Sequence, residues 1–160
     1  MCGDRVHSFA MKKKEPGCAC GPDRALVLYV SLSRDELPCA KCGREVPVDS
    51  IKLSGDLSQK LRRWVDQRYA LELLWFSSGE YEGLAKNELD GPRTKINRLG
   101  AELAAGMAAW LWVTPHAAAE QYVDRYLDPC PMCGGITEES GFGGRFGRVC
   151  RKCRVIGPGE

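Results

Sequence analysis

Eight of the nine cysteines in this 160-residue chain fall into two sets of four, and their spacing is the strongest chemical signal in the sequence. In the second set, Cys130-Pro-Met-Cys133 and Cys150-Arg-Lys-Cys153 stand sixteen residues apart. Two Cys-x-x-Cys turns at that separation present four thiolates to one metal ion, most simply Zn²⁺. The first set is Cys18-Ala-Cys20 followed, after eighteen residues, by Cys39-Ala-Lys-Cys42. Its Cys-x-Cys half is the less common spacing, and the alternative for it is a group of unrelated buried thiols. Cys2 is left over in a polar leader that also holds His7 and Lys12 to Lys14.

Four thiolates complete a tetrahedron and leave no position for water, so two structural Zn²⁺ ions are expected and no hydrolytic centre. No nucleophile–base triad or paired-carboxylate arrangement stands out elsewhere, which points away from an enzyme and leaves no small-molecule substrate evident. Gly141, Gly143, Gly144 and Gly147 lack the strand-before, helix-after setting of a phosphate-binding loop, and a hairpin turn explains them better. His116, directly after Pro115, reads as a surface or capping residue. The lysines of the leader are followed by Glu15-Pro16-Gly17 in place of an apolar run, and no stretch is long enough to span a membrane. A cytoplasmic location follows as the expectation, and there thiols bind metal more readily than they form disulfides.

The elements that must hold these turns are legible in part. Residues 1–17 form a disordered leader and residues 18–54 an N-terminal zinc-binding module, with a buried strand around Leu26–Val30 and a short extended Val46-Pro47-Val48. Residues 55–128 form a helical core with an aromatic strand. A first helix begins at Ser54-Gly55-Asp56, carries Leu57, Leu61, Trp64, Val65, Leu71, Leu74 and Trp75 inward, and stops at Gly79. Lys60, Arg62, Arg63, Asp66 and Arg68 take its other faces. A shorter helix covers Glu80–Leu89, and a third runs from Thr94 to Ala109. Trp110–Val113 is a strand, and a helical connector spans Pro115–Leu127. Residues 129–156 form a C-terminal zinc ribbon in which Ile136–Ser140 pairs with Phe146–Val149. The fold class is therefore α+β, a helical core with short strands and two four-cysteine zinc sites.

The formal charge of +2 counts every cysteine as neutral. Each site of four thiolates and one Zn²⁺ carries about −2, so two filled sites bring the chain to roughly −2. Net charge alone thus gives no drive toward nucleic acid, and a local patch would have to supply it. Arg145, Phe146, Arg148, Arg151, Lys152 and Arg154 are the candidates: phosphate contacts from the basic residues and base stacking from Phe146. The competing reading is that these cations offset the thiolate charge. The Trp and Leu stripes of the helices read as core, while an exposed helical face or the same hairpin would serve a protein–protein adaptor. A thiol redox switch is a third possibility, though it asks for a Cys-x-x-Cys at a helix N-terminus.

The ensemble of features resembles a bacterial family of uncharacterised proteins described as Zn-ribbon-containing candidate nucleic-acid binders. The features are Cys18-x-Cys20, Leu28-Tyr29, Cys39-x-x-Cys42-Gly43 with Val46-Pro47, and Trp64 with Tyr69-Ala70. They continue with Gly79-Glu80, Leu99-Gly100, Trp110–Trp112, Cys130-Pro-x-Cys133-Gly-Gly and Cys150-x-x-Cys153-Arg154. The resemblance spans residues 18 to 156. It implies two zinc sites around one helical segment and nucleic acid as the expected partner. Members usually carry a longer N-terminal region, so the resemblance also implies either that this chain is a shortened form or that its start is misplaced.

Overall fold

The computed structural model describes residues 17–29, 34–112, 127–142 and 146–158. Residues 1–16 of the leader, the connector from Pro115 to Tyr126 with His116, and Gly143, Gly144 and Arg145 of the hairpin lie outside the described residues. The fold is α+β. In chain order the elements are β1 (Val27–Leu28), β2 (Glu36–Pro38), β3 (Glu45–Pro47), α1 (Gly55–Ser77), α2 (Glu82–Asp90), α3 (Lys95–Gly106), β4 (Trp110–Trp112), β5 (Glu138–Glu139), β6 (Arg148–Cys150) and β7 (Val155–Gly157).

The strands β1-β4-β7-β6-β5 form one five-stranded sheet, and β2 and β3 make a separate hairpin. β4 is parallel to β1 on one side and to β7 on the other, while β7, β6 and β5 run antiparallel in turn. The sheet thus joins an N-terminal strand, the aromatic strand and the C-terminal ribbon. Side chains alternate across it, as a period of two requires. Leu28, Leu111 and Val155 face the helices in the larger core with Leu61, Trp64 and Leu103. Val27, Trp110 and Ile156 occupy the other face with Phe146 and Val149.

α1 starts where Ser54 is extended and ends with Ser78 donating its N–H to the Leu74 carbonyl, ahead of Gly79 at φ 59°. Those are the start and stop expected at Ser54 and Gly79. Its first half buries Leu61, Trp64 and Val65, but farther along the helix the expected stripe fails. Leu74 is 38% exposed and Leu71 and Trp75 are only half-buried, whereas Arg68 and Glu72 are buried. Arg68, expected on a solvent face, stands four residues beyond Trp64 and four before Glu72, so all three share one helix face. Its guanidinium lies 5.9 Å from the Trp64 ring centroid, bonds Asn97 Oδ1 at 3.1 Å and approaches Glu72 Oε1 at 3.7 Å. Asn97 in turn donates to the carbonyls of Leu89 and Gly91 at 2.8 and 2.9 Å. A polar network therefore ties α1, α2 and α3 where an all-apolar seam was expected. By contrast, Lys60 and Arg62 remain outside, paired with Asp56 and Asp49.

Gly100 lets α3 approach both neighbours. A Cβ there would stand 2.7 Å from Leu111 Cδ1 and 3.0 Å from Trp64 Nε1, which itself donates to the Ile96 carbonyl at 2.9 Å. α3 ends at Gly106, short of the expected Ala109. Ala108 takes φ 53° and donates to Ala105, and Ala109 donates back to the Ala104 carbonyl at 2.8 Å. This is a Schellman ending with alanine in the left-handed position that glycine normally fills. Ala108 is exposed, so Ala108→Gly should stabilise the protein by about 0.5–1 kcal/mol, read as a higher midpoint in thermal unfolding.

Candidate metal centres

Both cysteine sets are assembled, with all four sulfurs of each lying within 4.8 Å of one another. Cys18 Sγ lies 3.6 Å from Cys42 Sγ, and Cys133 Sγ lies 3.8 Å from Cys150 Sγ. A disulfide needs about 2.05 Å, whereas zinc bound at about 2.3 Å from four tetrahedral sulfurs separates them by roughly 3.8 Å. Among the described residues, neither histidine nor carboxylate joins either set. The donors fit two four-thiolate metal sites, and the donor chemistry suits zinc.

The two sites are built alike. In each, a cysteine pair is followed by a strand and then by a hairpin whose turn end carries the second pair. Cys39 and Cys42 sit in the β2–β3 loop, with β1 before them, while Cys150 is the last residue of β6 and Cys153 sits in the β6–β7 loop, with β5 before them. The first strand runs antiparallel to its hairpin in both cases, through the Leu26↔Cys39 bridge and the Glu138↔Val149 pair. Cys18 docks onto its hairpin by donating to the Glu45 carbonyl at 3.3 Å.

The turns repeat as well. Gly43 donates to the Cys39 carbonyl at 2.8 Å and Gly134 to that of Cys130 at 2.7 Å, while Cys39 and Cys130 donate to the carbonyls of Arg44 and Gly135. The residue after the second cysteine is left-handed in all four turns: Gly21 at φ 56°, Gly43 at 71°, Gly134 at 69° and Arg154 at 52°. That conformation turns the backbone so that the next N–H faces sulfur. The Arg44 N–H bonding Cys42 holds that thiol down at about 7, and the Gly135 N–H does the same for Cys133. Both are the outward, exposed members of their sets. Burial pushes Cys18, Cys130 and Cys153 up, while bonding to the Cys42 sulfur carries Cys20 up to about 12. Each set therefore offers one ready thiolate, and metal must displace protons from its raised partners.

The candidate nucleic-acid residues are placed differently from the expectation. Phe146 is 3% exposed and meets Trp112 edge-on at 5.7 Å, so its ring is packed against the sheet and not displayed for a base. Arg148 is half-buried and donates to Thr137 Oγ1 at 3.1 Å and to the Thr137 carbonyl at 2.5 Å. Arg151 is exposed and paired with Glu138. Lys152 is exposed. Arg154 turns inward, donating Nε to the Ala109 carbonyl at 2.8 Å with its guanidinium 5.1 Å from the Trp110 ring centroid. Arg145 is outside the described residues. Among the described residues, the ribbon's arginines thus bind the protein itself.

No family model, curated protein or solved structure matches the chain. Two features escaped the sequence reading. β7 was hidden because Val155-Ile156-Gly157 is too short to show a period, although an apolar pair one residue after a Cys-x-x-Cys was a usable sign of a returning strand. Arg154 read as surface charge, and only its place in the turn, where the other three sets of neighbours have glycine, marked it as special. No helix among the described residues is long and apolar enough to cross a membrane.

Proposed function

We propose that this chain is a zinc-stabilised, non-enzymatic binding protein and that its partner is a protein docked at the α1–α2 corner. The observation that carries this reading is a group of exposed apolar side chains within residues 73–84, where α1 ends and α2 begins. Phe76 is 64% exposed, Leu84 59%, Tyr81 52%, Leu73 44% and Leu74 38%. Phe76 stacks on Trp75 at 4.6 Å, which extends the aromatic surface. Such a grouping on one corner is what interaction sites present, while scattered single apolar residues are ordinary surface. Glu80 and Glu82 flank Tyr81 and are exposed, so the complementary surface is apolar with a basic rim.

The closed donor sets support a structural role for zinc, since four thiolates leave no position for a substrate or a reactive water. Their sulfur spacing favours metal clasps over a thiol switch. Nucleic acid is the second reading, supported by the family resemblance and by Arg151 and Lys152 on the ribbon surface. The burial of Phe146 and the internal bonds of Arg148 and Arg154 weigh against it.

Co-purification from nuclease-treated lysate separates the two. A protein partner should be retained by the zinc-loaded chain, lost with Phe76→Asp/Leu84→Asp, and kept with Arg151→Glu/Lys152→Glu. Loss with the ribbon pair would move the function to the ribbon. So would direct DNA or RNA binding that weakens steeply between about 50 and 200 mM salt.

A further inference from the structure

We infer that the two metal sites are energetically coupled through β4, so that filling either one tightens the other; this rests on the zinc reading of both cysteine sets. β4 is the shared element. It comes from neither ribbon, yet it pairs with β1 of the first and β7 of the second. The bonds run from ligand to ligand with few intermediates. Cys153 is followed directly by Arg154, whose carbonyl accepts the Leu111 N–H at 2.8 Å. The neighbouring Trp110 N–H donates to the Leu26 carbonyl at 2.8 Å, and Leu26 bridges Cys39, a ligand of the other site. Ala40 N–H to the Ala25 carbonyl at 2.8 Å reinforces that last link.

Arg154 makes the connection sensitive to the turn at Cys153. Its left-handed backbone belongs to the thiolate turn, while its side chain holds the Ala109 carbonyl and covers Trp110 at the start of β4. If the turn loses its metal, the backbone that places both Arg154 contacts loses its anchor. β4 then keeps one neighbour instead of two. A three-residue strand has little stability of its own, because each strand depends on the pairing beside it. The loss is transmitted to β1 and to Cys39. By linkage the effect is reciprocal.

Chelator-competition titrations on the full chain test this. Ribbon-site zinc affinity is measured with the first site disabled by Cys18→Ser/Cys42→Ser, and first-site affinity with the ribbon disabled by Cys133→Ser/Cys153→Ser. Each is expected to fall roughly tenfold, within the usual range of coupling between sites. Arg154→Gly keeps all eight ligands and the turn, and should bring both affinities in the intact chain toward the single-site values. Changes below twofold in both arms would overturn the coupling. Fewer than two zinc ions per native chain would instead overturn the zinc reading on which it rests.

Amide exchange on the unmutated protein guards against variants that simply misfold. As chelator withdraws the ribbon ion, the Trp110 and Leu111 N–H groups should lose protection together. Retention at Trp110 with loss at Leu111 alone would show that the disturbance stops at β7, and would overturn the proposal.

Discussion

Chelating the metal from the Cys130–Cys153 site will unfold the ribbon, and Cys133→Ser will remove one zinc per chain. The magnitude follows from how little else holds this segment. β5, β6 and β7 are two or three residues long, and a small hairpin unit of this kind is marginal without a staple. Structural zinc contributes on the order of 10–16 kcal/mol of apparent binding energy in isolated finger peptides, comparable with the whole stability of an ordinary domain. Cys130 and Cys150 are also part of the core, beside Leu127 and Val155. Metal loss therefore leaves a buried cluster of mutually repelling thiolates or orphaned thiols as well as a missing crosslink. Mass spectrometry under native conditions is expected to give two zinc ions for the parent chain and one each for Cys18→Ser and Cys133→Ser. An unchanged count in Cys18→Ser would remove the first site from the account.

The second large effect lies far from either metal. Arg68→Ala should cost about 3–5 kcal/mol in denaturant unfolding of the zinc-loaded protein, the range for stranding one member of a buried ion pair. Arg68 is 3% exposed and Glu72 8%. Removing the guanidinium leaves a buried carboxylate and an unsatisfied Asn97 carbonyl oxygen, and strips a cation from the Trp64 ring. Burial already pushes Glu72 above the usual carboxylate range and the Arg68 guanidinium below its own. Among the described residues, Arg68 Nε has no hydrogen-bond partner. The pair is thus incompletely compensated, and the double variant Arg68→Met/Glu72→Leu should recover most of the loss. A cost below about 1 kcal/mol for Arg68→Ala would place the guanidinium in water. The sign of the pH dependence is also set. Since Glu72 is raised in the folded state, its contribution is present below the unfolded carboxylate value and lost as pH rises through the folded one. Glu72→Gln should flatten that part of the profile.

Local signals carried well from sequence to structure. The Cys-x-x-Cys turns, the glycine after Cys42 and the bounds of α1 depend on a few adjacent residues, and they stand where expected. The sheet depends on residues near positions 27, 110 and 155 finding one another, and two- or three-residue strands carry no periodicity with which to announce it. The resemblance of the first metal site to the second was obscured by Cys18-x-Cys20, which lacks one residue of the usual spacing. Arg68 was misplaced for another reason. Its chemical type argued for solvent, while its three- and four-residue spacing from Val65 and Trp64 argued for the inside. Opposite charges one helical turn apart on an apolar stripe can satisfy one another there. Phe146 illustrates the converse: an aromatic among arginines looked like a nucleic-acid platform until the second face of the sheet required a side chain to cover Trp112.

β5 has one further consequence. It is the outer strand of the five-stranded sheet, with a row of backbone donors and acceptors facing away from β6. An open edge of that kind invites another chain to add a strand, the first step toward ordered aggregates. Here the edge is two residues long, and both are exposed glutamates. Glu138 is paired with Arg151, so a second copy approaching in register would meet like charge chiefly at Glu139, with almost no length of pairing to compensate. The sheet thus ends on this side in an edge too short and too charged to be a good template for a further strand.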